Sequence, residues 1–301
     1  MSFRIVKLFA SLAVLGLLVW WFDPSAVLAQ LRGAAPSWVF VALASVTVAT
    51  LSMARRWQLV ARRFDITVGF GFALREYYLA QLVNTALPGG VAGDVARAVR
   101  TRGAADLARV AQSVAAERLL RQSALLSLMG AGVVTARLIP RGPERGSLAW
   151  GVLAVFLALA MVGFALLRTD TATGRFVRSA LSALRDPEIL LHGVITTFCL
   201  ILAFYAATRA IGTVIPPLGW ATLMPLVLCS MLIPMSINGW GWREGAAAAL
   251  FPMIGASASA GVAAGIVYGG VVFIAVLPGA LILITQMYSK PLPVKGHTDL
   301  P

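Results

Sequence analysis

The sequence predicts an all-α, polytopic membrane protein with six to eight transmembrane helices and one or two re-entrant or broken hairpins. Three observations carry this expectation. The 301-residue chain is 59% hydrophobic and only 12% charged, with a mean hydropathy of +0.85, so no water-soluble exterior can cover it. Its apolar runs approach the roughly 20 residues that cross about 30 Å of hydrocarbon. Short arginine-bearing loops separate the runs, and two of the runs end in Pro- and Gly-rich breaks beside charges. Residues 1–290 therefore read as one integral-membrane domain and residues 291–301 as a short cytoplasmic tail.

The first apolar run, Ile5 to Phe22, follows Arg4 and Lys7 and ends in Trp20-Trp21-Phe22. It has some features of a cleavable leader, but the aromatic end suits an interfacial anchor, so an uncleaved span is expected. The second run covers Trp38 to Met53. Arg55, Arg56, Arg62 and Arg63 come next, and by the positive-inside rule they place that loop and the N-terminus in the cytoplasm.

From Phe70 to Leu87 an apolar run holding Arg75 and Glu76 stops at Pro88-Gly89-Gly90, with Asp94, Arg97, Arg100 and Arg102 beyond. Basic residues on both flanks suggest a hairpin entering and leaving on the cytoplasmic side. A long helix from Leu107 to Leu138 follows, then a span from Leu148 to Leu167. The segment Arg168 to Asp186 reads as a short amphipathic helix on the cytoplasmic surface. Another span runs from Ile189 to about Ala207. The region Trp220 to Pro252 contains Pro225, Pro234 and several glycines, so helix should not pass through it undisturbed. It is either a second hairpin, from the opposite face, or two crossings. Gly261 to Met287 forms the last span, and the tail bearing Lys290 and Lys295 should be cytoplasmic, in a bacterial inner membrane.

The net charge of +13 sits at the ends of apolar runs, where it sets orientation, so nucleic acid is not an expected partner. Only Lys7, Lys290 and Lys295 among the 25 basic residues are lysines. That bias fits both phosphate recognition by guanidiniums and a GC-rich coding sequence. Cys199 and Cys229 lie in apolar runs, and neither they nor His192 and His297 form a set with metal-ligand spacing. No metal or other cofactor is expected.

Ionised side chains cost about 2.5–3.5 kcal/mol at the centre of a membrane helix, so three charged stretches stand out as candidate sites. The first is the tip Asn84, Pro88, Gly89, Gly90, Gly93, Asp94 and Arg97, where glycines and a restarting helix can aim N–H groups at an anion. The second is Glu117, Arg118 and Arg121. Glu117 and Arg121 stand at i,i+4 and are expected to pair, leaving positive charge for an anionic headgroup. The third is Ser236, Asn238, Arg243 and Glu244 among Gly239, Gly241 and Gly245. Neighbouring helical residues point about 100° apart, so Arg243 and Glu244 are expected to find separate partners, Arg97 or Arg118 for the carboxylate and Asp94 or a lipid phosphate for the guanidinium.

The order of these motifs resembles the lysylphosphatidylglycerol synthase transmembrane family over nearly the whole chain. The resemblance rests on the Arg pair at 55 and 56, Asn-x-x-x-Pro-Gly-Gly-x-x-Gly-Asp-x-x-Arg from Asn84 to Arg97, Glu117-Arg118, and Pro-x-Ser-x-x-Gly-x-Gly-x-Arg-Glu-Gly from Pro234 to Gly245. It implies a flippase-like domain that binds and translocates a lipid between leaflets. Bifunctional members add a second membrane region and a soluble transferase, neither of which follows residue 290 here, so lysine transfer is not expected. The leading expectation is therefore a carrier rather than an enzyme, with a membrane lipid as its partner. A non-catalytic scaffold for other lipid- or glycan-assembly proteins and a membrane-embedded lipid-phosphate enzyme are the alternatives. The small-residue stretch Gly255 to Gly270 offers the scaffold a helix-packing face. The enzyme lacks an evident nucleophile.

Overall fold

The computed structural model describes residues 24–87, 90–102, 106–138, 147–231 and 238–288. The expected first span, the tail, the loop with Arg141, Glu144 and Arg145, and three expected site residues (Pro88, Gly89 and Ser236) lie outside the described residues. Among the described residues every regular element is a helix.

A short helix not foreseen in the sequence, α1 (Pro24–Arg32), precedes α2 (Pro36–Arg62). Proline at the first turn of α2 has no amide to leave unpaired there. The helix continues well past the expected end at Met53, and its inward stripe runs through Ala42, Ala49, Met53, Arg56 and Val60, the spacing of one helical face. Arg56 is thus a buried helix residue, 1% exposed, and not a loop charge. α2 packs along α8 (Pro187–Ala210), where fully buried Ala42, Ala203, Ala206 and Ala207 let the backbones approach closely.

The first broken hairpin consists of α3 (Phe70–Ala86) and α4 (Ala92–Thr101), which pack on each other. Leu87 is extended, with φ −115° and ψ 142°, the conformation that a following proline imposes. Gly93 is required by the close approach: a Cβ there would lie 1.9 Å from the Ala80 carbonyl oxygen. On α4 the residues Gly93, Asp94, Arg97 and Thr101 are buried, whereas Val95 and Val99 are exposed. Asp94 and Arg97 inside and two valines outside is the arrangement expected when the surrounding solvent is lipid.

α5 (Leu107–Leu138) and α6 (Ser147–Arg168) are joined to α8 by α7 (Ala172–Ser182) and a single 3-10 turn. Arg178 on α7 donates to the carbonyls of Leu167 and Thr169, closing the end of α6.

The second broken pair is α9 (Pro217–Ser230) and α10 (Trp242–Leu250). α9 passes through Pro225 and breaks only after Ser230. The chain re-enters helix through Asn238 and Gly239, whose φ values are 48° and 79°. α11 (Ala258–Ala275) and α12 (Leu277–Tyr288) divide the expected last span, because Pro278 has no N–H to donate to a carbonyl of the preceding turn. Gly261 and Gly265 of α11 carry the contact with α10: a Cβ at Gly261 would meet the Ala247 carbonyl carbon at 2.5 Å. Gly261 and Gly265 of the small-residue stretch thus pack inside the chain, while a Cβ at Gly255 or Gly270 would meet nothing within 4 Å. Three described stretches, Pro36–Arg62, Pro187–Ala210 and Ala258–Gln286, are long and apolar enough to cross a membrane.

Candidate functional site

Helices α2, α3, α4 and α5 bring four arginines and two carboxylates together behind the first helix break. Glu117 of α5 is fully buried and accepts from Nη2 of Arg56 at 2.7 Å. Nη2 of Arg97 approaches its other oxygen at 3.7 Å and Asp94 Oδ1 at 3.1 Å. The Arg97 guanidinium lies 4.6 Å from the ring centres of both Trp57 and Tyr77, which places its charge against two electron-rich faces. Asp94 then spans to Arg118, whose Nη1 donates to Asp94 Oδ2 at 2.6 Å and to the Gly90 carbonyl at 2.8 Å.

The expected Glu117–Arg121 pair does not form directly. Tyr77 stands between them, accepting from Arg121 Nη1 at 3.2 Å and donating its hydroxyl proton to the Glu117 carboxylate at 3.3 Å. At the hairpin tip the amide of Gly93 donates to Asn84 Oδ1 at 2.7 Å. One of the N–H groups expected to face an anion is therefore already used in holding the two halves of the hairpin together.

A cavity of about 260 Å³ opens where the two helix breaks meet. Asn84 and Gly90 border it from the first break, Asn238 and Gly239 from the second. Arg118, Arg121 and Gln122 from α5 and Gln81 from α3 make one part of its wall polar. Leu125, Leu200, Leu228, Met231 and Val272 add apolar lining. A lining that is both polar and apolar fits a molecule that is both. Among the described residues no group of three His, Cys, Asp or Glu is placed to hold a metal ion.

The family model for the lysylphosphatidylglycerol synthase TM region matches residues 8–279. The chain belongs to this family. Nothing among curated proteins or solved structures matches it. Membership in the lysylphosphatidylglycerol synthase TM-region family makes this a membrane protein related to lipid handling.

Within this family member the described site residues divide into three groups. Asn84, Gly90, Arg118, Arg121 and Asn238 line the cavity, and Gly93, Asp94, Arg97 and Glu117 support it from behind. Arg243 and Glu244 do neither. Contrary to expectation, they satisfy each other: Arg243 Nε donates to Glu244 Oε1 at 3.0 Å, and its Nη2 makes a shorter contact to the same oxygen. The physical reason is the helix start. Glu244 is the third residue of α10, and its other oxygen accepts from the Gly241 amide at 2.7 Å, a reach-back that carries the carboxylate toward the arginine stem. Arg243 then rests between Trp240 and Tyr268, 4.9 and 5.4 Å from their ring centres.

The sequence reading missed Arg56, Trp57 and Tyr77, which complete the network, and Gln81, Thr196 and Thr197, which line the cavity. For Arg56 a signal existed. The stripe from Ala42 through Ala49 and Met53 reaches position 56 and not 55, so periodicity alone separates the buried arginine from its exposed neighbour.

Proposed function

We propose that this protein binds a lipid headgroup in the cavity between the two helix breaks and carries it between leaflets. The observation that supports the reading best is the lining itself. Arg118 and Arg121 border a space that is also lined by leucine, methionine and valine. Such a lining accommodates acyl or prenyl chain while the arginines replace the water that the headgroup leaves behind.

Movement requires a bistable element, and Arg118 is the candidate. It ties α5 to the first hairpin through Asp94 and the Gly90 carbonyl. A phosphate competing for that guanidinium would loosen the tie, so arrival of the guest and release of the hairpin become one event. The reaction is transport without covalent chemistry. The chain sits in a bacterial inner membrane with both termini in the cytoplasm.

The test is exchange of a fluorescent phospholipid between leaflets of proteoliposomes, followed by chemical quenching of the outer leaflet. Arg118→Ala and Arg121→Ala should each slow exchange to the rate of empty vesicles while the protein remains monodisperse. Exchange at the wild-type rate in both variants would overturn the proposal, and release of free headgroup by purified protein would favour an enzyme instead.

A further inference from the structure

We infer that the headgroup taken by this cavity carries two negative charges, as a phosphate monoester or a diphosphate does, and not one, as a phosphodiester does. The inference rests on the lipid-binding reading above and narrows its substrate class. Its basis is a charge count in a partly enclosed site where uncompensated charge is costly. The connected cluster contains the guanidiniums of Arg56, Arg97, Arg118 and Arg121 and the carboxylates of Asp94 and Glu117. Two positive charges remain without a carboxylate.

Among the described residues, neighbouring groups do not cancel this surplus. Glu76, the next carboxylate along α3, is held by Arg100 at 2.6 Å and by Arg75 at 3.5 Å, and Glu244 is held by Arg243. Among the described residues of the cluster, aromatic faces lie against Arg97 alone. The two arginines that border the cavity are Arg118 and Arg121. Among the described residues each commits only its Nη1, Arg118 to Asp94 and Gly90 and Arg121 to Tyr77 and the Met53 sulfur. Their Nε and Nη2 groups are available as donors. On the second helix break, Asn238 borders the same cavity with a buried Nδ2 that lacks an acceptor among the described residues.

A phosphodiester would answer one of the two surplus charges and leave the other in a largely apolar surrounding, where an unanswered guanidinium is costly. A terminal phosphate brings a charge near −2 and three acceptor oxygens, which matches the number of charges to be met and gives an oxygen to each arginine and one to Asn238. Inorganic phosphate shares this chemistry, and the acyl chains distinguish it from a lipid.

The experiment is calorimetric titration of the full chain in nonionic detergent with three probes: dioctanoyl phosphatidic acid, dioctanoyl phosphatidylglycerol and inorganic phosphate. At pH 8 phosphatidic acid should bind on the order of tenfold tighter than phosphatidylglycerol, since one more charge meets a nearby guanidinium. The ratio should fall toward one at pH 5, where the monoester loses its second charge. Arg121→Gln should abolish the ratio and Arg121→Lys should preserve it, and the pH comparison on wild-type protein needs no variant to fold. Phosphatidylglycerol binding as tightly as phosphatidic acid at pH 8 would overturn the charge inference while leaving the lipid reading intact. Inorganic phosphate binding as tightly as phosphatidic acid would overturn the lipid reading and leave the charge count standing. Failure of all three probes to bind would overturn both.

Discussion

Arg56 of α2 donates to Glu117 of α5 at 2.7 Å, with both side chains essentially removed from solvent. Removing one partner of such a pair typically costs about 3–5 kcal/mol, because the other charge stays buried. The two partners are not equivalent here. Arg56→Leu leaves Glu117 with Arg97 and Tyr77, whereas Glu117→Leu strands the Arg56 guanidinium and the Tyr77 hydroxyl proton and leaves Arg97 with Asp94 alone. Thermal unfolding in detergent should therefore rank Glu117→Leu as the more damaging change. Equal midpoints for the two variants would refute this ordering.

Gly93 should tolerate no side chain. Its Cβ position collides with the backbone of Ala80, so Gly93→Ala must push α4 off α3, an overpacking that costs about 1–3 kcal/mol. Gly90, whose Cβ would meet nothing within 4 Å despite a φ of +57°, serves as the comparison. Gly90→Ala should lose less stability than Gly93→Ala, measured as the midpoint of loss of monodispersity on heating.

These two cases mark how far the sequence could be read. The helices around Trp38, Ile189 and Gly261, the break between Ala86 and Ala92, and the charged stretches that hold Asp94, Arg97, Glu117 and Arg118 were visible because apolar length, proline and charge in hydrocarbon each have a local signature. Which charge meets which was not visible. Arg56 looked like part of a basic loop because four arginines close together mimic a membrane-edge cluster, and only the phase of α2 shows otherwise. Tyr77 carries no signature at all, since a tyrosine in an apolar run reads as packing until Arg121 and Glu117 are placed on either side of it. Pairing is a tertiary property, and the i,i+4 rule that joined Glu117 to Arg121 describes an isolated helix without Tyr77 between them.

Arg243 and Glu244 should behave as structural residues. Their mutual contact, the Gly241 amide bond and the two aromatic rings hold the start of α10, and neither borders the cavity. Glu244→Gln should lower the unfolding midpoint but leave lipid exchange per folded molecule unchanged. Gly269→Ala should mimic it, because a Cβ there would come within 2.4 Å of Arg243 Nη2. A variant of either kind that is fully stable and yet inactive in exchange would show that the pair takes part in transport.

Asn84 separates folding from binding within a single side chain. Its Oδ1 accepts from the Gly93 amide, and the residue also borders the cavity beside Gly90 and Arg118. Asn84→Asp keeps an acceptor of the same shape and improves the match to the N-terminus of α4, since a carboxylate is favoured there by about 0.3–1 kcal/mol. It also adds a negative charge to the wall that is proposed to receive an anion. Asn84→Asp should therefore unfold at or above the wild-type temperature while exchanging lipid much more slowly. Asn84→Ala should show the opposite pattern, losing about 1 kcal/mol as a helix-capping group is removed and retaining more exchange than the aspartate variant. If Asn84→Asp exchanges lipid as fast as wild type, the cavity wall at this position does not meet the headgroup.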